Sequence, residues 1–251
     1  MGQLYARVTG KGEGAPIVLL HGFGASHRAW RGVAPMLEES HRVIAFDLPG
    51  HALSLDYPHT GNAGVAAKAV MADLDERGFD RVHLVGHSMG GAVAALIAVG
   101  APGRVASATL LAPGGFGPEI NHRLLRRYAA ATGEAELALV LEQFWGWEQA
   151  VPEEFVRGVA ALRARKGQQE ALTAIVETLL DGPRQRVLPI SLLENCGVKV
   201  QVAWGTQDCV LPVRQAEALR SVSPRLLQGL GHMLPEEAPE AVAGLVLAAG
   251  R

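Results

Sequence analysis

Ser88, Asp208 and His232 follow one another along the chain, and a serine, an acid and a histidine are the residue types that can make an oxygen nucleophile. A serine hydroxyl attacks poorly until a base takes its proton, and that base needs an acid to orient it. Ser88 lies in "VGHSMGG" (85–91), with Gly86 and Gly90 flanking it. Gly-x-Ser-x-Gly holds a serine outward when it forms a sharp strand-to-helix turn, where side chains on the flanking positions would collide with the backbone. The pattern is short enough to arise by chance, so its meaning depends on its surroundings.

Those surroundings fit. The apolar run "RVHLVG" precedes Ser88 and reads as a strand, and "MGGAVAALIAVG" follows it as a helix. Asp208 comes just after "GVKVQVAW", in "WGTQDCVLP", and His232 stands in "GLGHMLPEEAPE" after the short run "RLLQ". If these strands are parallel, all three residues stand at one sheet edge, in the order Ser, acid, His expected of a strand-to-helix nucleophile. Attack on a carbonyl also creates a negative oxygen, which backbone N–H groups stabilise strongly. Met89 supplies one donor at the start of its helix, where the dipole favours negative charge. The second comes from "HGFG" (21–24), where Gly22 and Gly24 let the backbone of Phe23 approach; alone, that stretch would read as an ordinary tight turn. Candidate substrate-pocket residues are His21, Phe116, Phe144, Trp145, Leu211 and Met233, mostly apolar as small-molecule pockets are. For Phe144 and Trp145 the alternative is that they fasten one part of the protein to another. Asp47 ends a strand at the same edge but precedes Ser88, and is expected to fix its own loop by hydrogen bonding.

The elements that must position these residues alternate between β-rich runs and Ala- and Leu-rich segments, the pattern of an α/β fold with a mostly parallel central sheet flanked by helices. "APIVLLHG", "HRVIAFDLPG", "RVHLVG", "VASATLLAP" and "GVKVQVAWG" are the strands; "NAGVAAKAVMADLDERG", stopping at Gly78, and "EEAPEAVAGLVLAA" are helices. Residues 115–195 contain no convincing strand and read as four or five amphipathic helices. So long an amphipathic block needs a surface to bury against, which predicts a helical lid over the sheet edge rather than a separate domain. The expected organisation is a core of residues 1–114 and 196–251 with a lid insertion at 115–195.

Composition narrows the function. The chain has 251 residues, 49% hydrophobic and 19% charged, with a net charge of −2, and no basic cluster longer than "RLLRR" or "RARK". Nothing there resembles a nucleic-acid footprint. Cys196 and Cys209 are too few for a disulfide framework and fit a reducing, cytoplasmic setting. The N-terminal "MGQLYARVTGKGEG" has no signal-like apolar run, and "GGAVAALIAVGA" is too short to span a bilayer. No spacing suggests a metal site, and no cofactor is expected.

Taken in order, "LLHGFGAS", "VIAFDLPGH", "LVGHSMGG", "VAWGTQD" and "GHMLPEE" resemble the α/β-hydrolase superfamily over the whole chain outside 115–195. The resemblance implies the α/β-hydrolase fold, a Ser88–His232–Asp208 triad, and the Phe23 and Met89 amides as oxyanion hole. One departure is Ala52 in "PGHALS", where many relatives carry glycine, which puts the shape of that loop in question. "LLAPGGFGPEINHRLLRRYAAA" with the two later motifs is similar to the hydrolase-like domain of acetoin dehydrogenase E2 components. Those chains carry a preceding lipoyl domain and are usually assigned acyl transfer; with no lipoyl-type lysine hairpin here, a stand-alone hydrolase is expected. Dehalogenases and epoxide hydrolases of the superfamily would need Asp at Ser88. Its carbon–carbon bond hydrolases usually have Asn before the serine and an aromatic after the histidine, where this chain has His87 and Met233. The expectation is a carboxylesterase-like serine hydrolase acting on a small-molecule acyl substrate, with no nucleic-acid or membrane partner. An acyltransferase, a carbon–carbon hydrolase and a non-catalytic ligand-binding receptor on the same fold are the alternatives.

Overall fold

A computed structural model describes residues 2–249. Strands covered on both faces read as unbroken apolar runs, and such runs form the middle of the sheet. After β1 (Ala6–Thr9) come β2 (Ile17–Leu20), β3 (Val43–Phe46), β4 (Val82–His87) and β5 (Val105–Leu111). Successive side chains point to opposite faces. Thus Val18, Leu20, Ile44, Phe46 and Leu84 join one buried cluster, while Ile17, Leu19, Val43, Ala45 and Val85 join the other. The second cluster packs against α1 (Ala34–Glu38). The first takes α2 (Ala63–Glu76), capped by the Asn62 side chain and stopped at Gly78 in the left-handed conformation. It also takes α3 (Met89–Gly100), whose small residues let it lie close on the sheet: a Cβ on Gly90 would run into the Leu20 carbonyl.

A different kind of segment follows β5. It holds α4 (His122–Ala130), α5 (Glu134–Leu141), α6 (Glu153–Arg163), α7 (Gln168–Leu179), the hairpin β6 (Leu180–Asp181) and β7 (Arg184–Gln185), and α8 (Ile190–Glu194). The chain then returns to the sheet as β8 (Lys199–Gly205) and β9 (Arg225–Leu227), and closes with α9 (Leu234–Glu237) and α10 (Pro239–Ala249) on the second cluster. The seven-stranded order is β1-β3-β2-β4-β5-β8-β9, with β1 antiparallel to β3 and every other pair parallel. Among the described residues no helix is long and apolar enough to cross a membrane.

Two expectations need correction. Helix α7 ends at Leu179, because Gly182 (φ 59°) and Pro183 turn the chain back as the β6–β7 hairpin. Residues 115–195 are therefore not free of strand. β1 also escaped the sequence reading; it is half-exposed and too weakly apolar to announce itself.

The helical segment ties itself to the loops at the carboxyl ends of the parallel strands. Tyr128 Oη–H donates to the Gly24 carbonyl after β2 (3.3 Å), and Asn121 Nδ2–H to that of Cys209 after β8 (3.1 Å). Gln168 brackets the loop after β3, donating to the Gly50 carbonyl (2.9 Å) and accepting from the Ala52 N–H (2.8 Å). Ala52 has φ 46°, so the loop keeps the left-handed turn that glycine would favour despite carrying a Cβ. Asp47 anchors the same loop, accepting from the N–H of Leu53 (3.0 Å) and from the ring of His27 (2.8 Å).

Close approach of α3 to the sheet depends on the missing Cβ at Gly90. Gly90→Ala is expected to destabilise the protein by about 3 kcal/mol, at the upper end for overpacking. Gly244→Ala, in the middle of α10 with nothing within 4 Å of the added carbon, should stabilise by about 0.5–1 kcal/mol. Urea denaturation of both variants checks the contrast.

Candidate active site

Ser88 ends β4 and begins α3 with φ 53° and ψ −115°, a region that side-chain-bearing residues rarely occupy. Such strain is of the order of 1–3 kcal/mol and persists only where the surroundings impose it. The Ser88 N–H donates to the Leu111 carbonyl (2.9 Å), and its own carbonyl accepts from Ala92 (3.1 Å) and Gly114 (2.9 Å). Gly86 and Gly90 are close enough that a Cβ on Gly86 would strike the Gly90 carbonyl. The loop after β2 presses on the same corner: a Cβ on Gly22 would lie 3.2 Å from that of Ser88 and 2.9 Å from His87 Nδ1. Gly24, at φ 74°, completes the turn that carries Phe23 past Ser88. No side chain caps α3, so no side-chain oxygen takes up the N–H groups of its first turn, Met89 included.

Asp208 and His232 come together as their spacing suggested. The His232 Nδ1–H donates to Asp208 Oδ2 at 2.7 Å, with both side chains almost wholly buried. The other carboxylate oxygen, Oδ1, accepts from the N–H groups of Val210 and Leu211, each at 2.8 Å. That loop is pinned in turn by the Trp204 indole N–H on the Leu211 carbonyl (3.1 Å). With Nδ1 committed to Asp208, Nε2 is the nitrogen of His232 left to act as a base. Ser88 and His232 line one small chamber of about 20 Å³ with Phe23, His87, Tyr128, Phe144 and Met233. A cavity of about 240 Å³ opens from the other side of Ser88, past Met89, Ala92 and Leu211.

Of the candidate pocket residues, Phe144, Met233 and Leu211 line these two spaces. His21, Phe116 and Trp145 do not. His21 is fully buried: its Nδ1–H donates to the Gly22 carbonyl (2.8 Å) and Nε2 accepts from the Leu48 N–H (2.9 Å), so both nitrogens hold backbone. Phe116 packs on Trp204 (6.2 Å between centroids) and Trp145 on Phe155 (4.8 Å). The Trp145–Phe155 contact lies within the helical segment, and the neighbouring Gly146 lies so near Gly229 that a Cβ there would meet the Gly229 carbonyl.

Three contributors were not anticipated. His87 Nε2–H donates to the His232 carbonyl (2.7 Å), and the two rings lie 4.9 Å apart. Burial, helped by the adjacent His232, holds the His87 pKa down to about 3, so it stays neutral and serves as a fixed donor. Glu237 is the second. Its carboxylate accepts from the N–H groups of Gly231 (2.9 Å) and Met233 (2.9 Å), one on each side of His232, and from Gly146 (2.8 Å) in the helical segment. Burial pushes its pKa up against the pull of those N–H groups and of His232. The sequence signal was a pair of acids, Glu236 and Glu237, just after "GHM" in an otherwise apolar stretch. A third support, Gln185, accepts from the Gly115 N–H (2.8 Å) and donates to the Gly117 carbonyl (2.8 Å), bracing the loop that meets the Ser88 carbonyl through Gly114.

The match to known proteins follows the same lines. Residues 17–245 match the model of the alpha/beta hydrolase family, and the chain belongs to that family. It is 37% identical over 233 residues to the dihydrolipoyllysine-residue acetyltransferase component of the acetoin cleaving system of Cupriavidus necator, covering 91% of this chain and 61% of that one. The like-named component from Pseudomonas putida is 35% identical, with 94% and 63% covered. The chain thus spans about six tenths of the length of these relatives. Among solved structures, the meta-cleavage product hydrolase CumD of Pseudomonas fluorescens superposes with a TM-score of 0.86 at 20% identity, over 98% of this chain and 94% of its own, and so shares the fold.

Glu237 touches no reacting atom, so its effect should fall on turnover rather than binding. Glu237→Gln replaces one acceptor oxygen with an NH₂ facing backbone donors. Misplacement of His232 should then lower kcat by about 10²-fold and leave KM within about twofold, as read by steady-state kinetics on a methyl ester. An unchanged kcat would remove Glu237 from this role.

Proposed function

We propose that the protein is a serine hydrolase that cleaves a carboxylic ester or related acyl bond through an acyl-enzyme on Ser88. The observation that carries this reading is that Ser88 and His232 share one closed chamber while His232 Nδ1 stands 2.7 Å from Asp208. His232 Nε2 takes the Ser88 proton as Oγ bonds to the acyl carbon, and returns it to the leaving oxygen as the ester bond breaks. The N–H groups of Phe23 and Met89 receive the developing oxyanion. Asp208 holds the tautomer and stabilises the imidazolium. A water then gives its hydroxyl to the acyl carbon and a proton, through His232, back to Ser88.

The names of the two curated relatives favour a second reading in which the acyl group passes to a thiol or alcohol instead of water. The two readings share the acyl-serine and differ only in what resolves it.

Wild-type protein should release methanol from methyl esters over many turnovers, and a fluorophosphonate probe should label it but not Ser88→Ala. Labelling of that variant would contradict the nucleophile, and tight ligand binding without turnover would favour a receptor. An added thiol or alcohol that raises product well above the hydrolysis rate would favour transfer. Asp208→Asn should cut turnover by about 10⁴-fold, and a near-wild-type rate would point to another acid.

A further inference from the structure

The spaces on the two sides of Ser88 are unequal, and His232 lines only the smaller one. Phe23, Ser88, Leu125 and Val210 belong to both and form the partition between them. On the His232 side, Tyr128, Leu141, Phe144 and Met233 close a chamber of about 20 Å³. A water needs roughly 10–15 Å³ of such space, so this side seats one water, a hydroxyl or a methyl-sized group. The chamber is also tightly built: the Tyr128 and Phe144 rings pack at a tilt with centroids 5.0 Å apart, and the Phe144 carbonyl accepts from the His232 N–H at 2.7 Å.

The other side differs in size and chemistry. Its cavity of about 240 Å³ runs from Ser88 along α3 between Ala92, Leu96, Ile120, Leu179, Leu188 and Leu211. It reaches the surface beside Asn62 and the exposed Arg186 and Val187. An apolar protein cavity of roughly 150 Å³ holds a benzene ring; on that scale 240 Å³ takes on the order of eight to ten carbons. Nothing charged faces its inner half.

Resting on the serine-hydrolase reading, we infer that this asymmetry divides the substrate: a medium-length apolar acyl chain fills the larger cavity, and the leaving group beside His232 is no bigger than a small alcohol. The direction follows from proton transfer. The leaving oxygen must lie within hydrogen-bond reach of His232 Nε2, so the group attached to it enters the chamber that His232 lines. The acyl carbon's remaining substituent then points across the partition, past Met89 and Ala92. When the alcohol departs, the vacated chamber is the right size for the single water that deacylates Ser88.

Isomeric esters separate this assignment from the hydrolase reading itself. Methyl nonanoate and octyl acetate have the same atoms and the same kind of bond, but place the long chain on opposite sides of the carbonyl. Wild-type protein should show kcat/KM at least tenfold higher for methyl nonanoate. Ala92→Phe, which fills the cavity one turn into α3, should lower the methyl nonanoate to methyl butyrate ratio by at least tenfold. Leu96→Phe, further from Ser88, serves as the milder variant if the first fails to fold, and should lower the same ratio. Equal or faster cleavage of octyl acetate, or ratios unmoved in the folded variants, would overturn the division while leaving Ser88 labelling intact. If neither ester is cleaved and the fluorophosphonate probe leaves Ser88 unmodified, the hydrolase reading fails and the division with it.

Discussion

Ser88 holds a backbone conformation that it would not choose, and most of the surrounding architecture makes that conformation possible. At φ 53° the residue turns β4 into α3 within one step and pushes its hydroxyl out of the sheet edge. The turn closes only if the chain can touch itself, and it does so where Gly86 meets Gly90 and where Gly90 meets the Leu20 carbonyl. Gly22 then brings the loop after β2 against the Ser88 side chain. Strand pairing of β4 between β2 and β5 supplies the rigid frame, with the Ser88 N–H held by the Leu111 carbonyl. Sequence, packing and chemistry meet here: small residues permit the approach, the approach fixes the strain, and the strain aims the oxygen.

The second half of the site is assembled by hydrogen bonds to backbone. Asp208 uses one oxygen on its own loop and the other on His232. The His232 loop is gripped by Glu237 from below, by His87 at the carbonyl, and by the Phe144 carbonyl from the helical segment. His87, His232 and the Asp208 carboxylate are buried and Glu237 partly so, and an unmade hydrogen bond there costs more than a made one contributes. The loop is therefore held in a single arrangement by a cooperative set. The helical segment does more than cover the site, since four of the loops at the sheet edge carry bonds to it.

What could be read from the sequence follows the range of the interactions. The parallel strands were legible because burial on both faces forces continuous apolar runs, and the Ser88 corner because its glycines are a local steric need. Asp208 and His232 were legible from chain order and strand ends. The β6–β7 hairpin was not, because Leu179, Leu180 and Asp181 prolong a helical pattern until Gly182 and Pro183 reverse it. The aromatic residues misled for another reason: type and neighbourhood do not tell a pocket wall from a packing contact, and Phe116 packs on Trp204 of the sheet and Trp145 on Phe155 within the helical segment, while Phe144 faces the chamber. His21 looked like a site residue because it adjoins Gly22, yet its ring is spent on the Gly22 carbonyl and the Leu48 N–H. His87 acts on the His232 carbonyl and Glu237 on the Gly146 N–H, partners far away in sequence that no residue pattern encodes, whereas the bonds of Glu237 to Gly231 and Met233 are local.

The central claim is that an acyl group rests covalently on Ser88 during turnover. Acid-quenching the protein milliseconds after mixing with methyl nonanoate, then mapping its peptides by mass spectrometry, tests that directly. The expected result is the mass of the acyl group on the peptide containing Ser88, appearing in step with a burst of methanol and decaying as substrate is exhausted. Turnover with that peptide unmodified throughout, or with the acyl mass on another residue such as Cys209, would contradict the account.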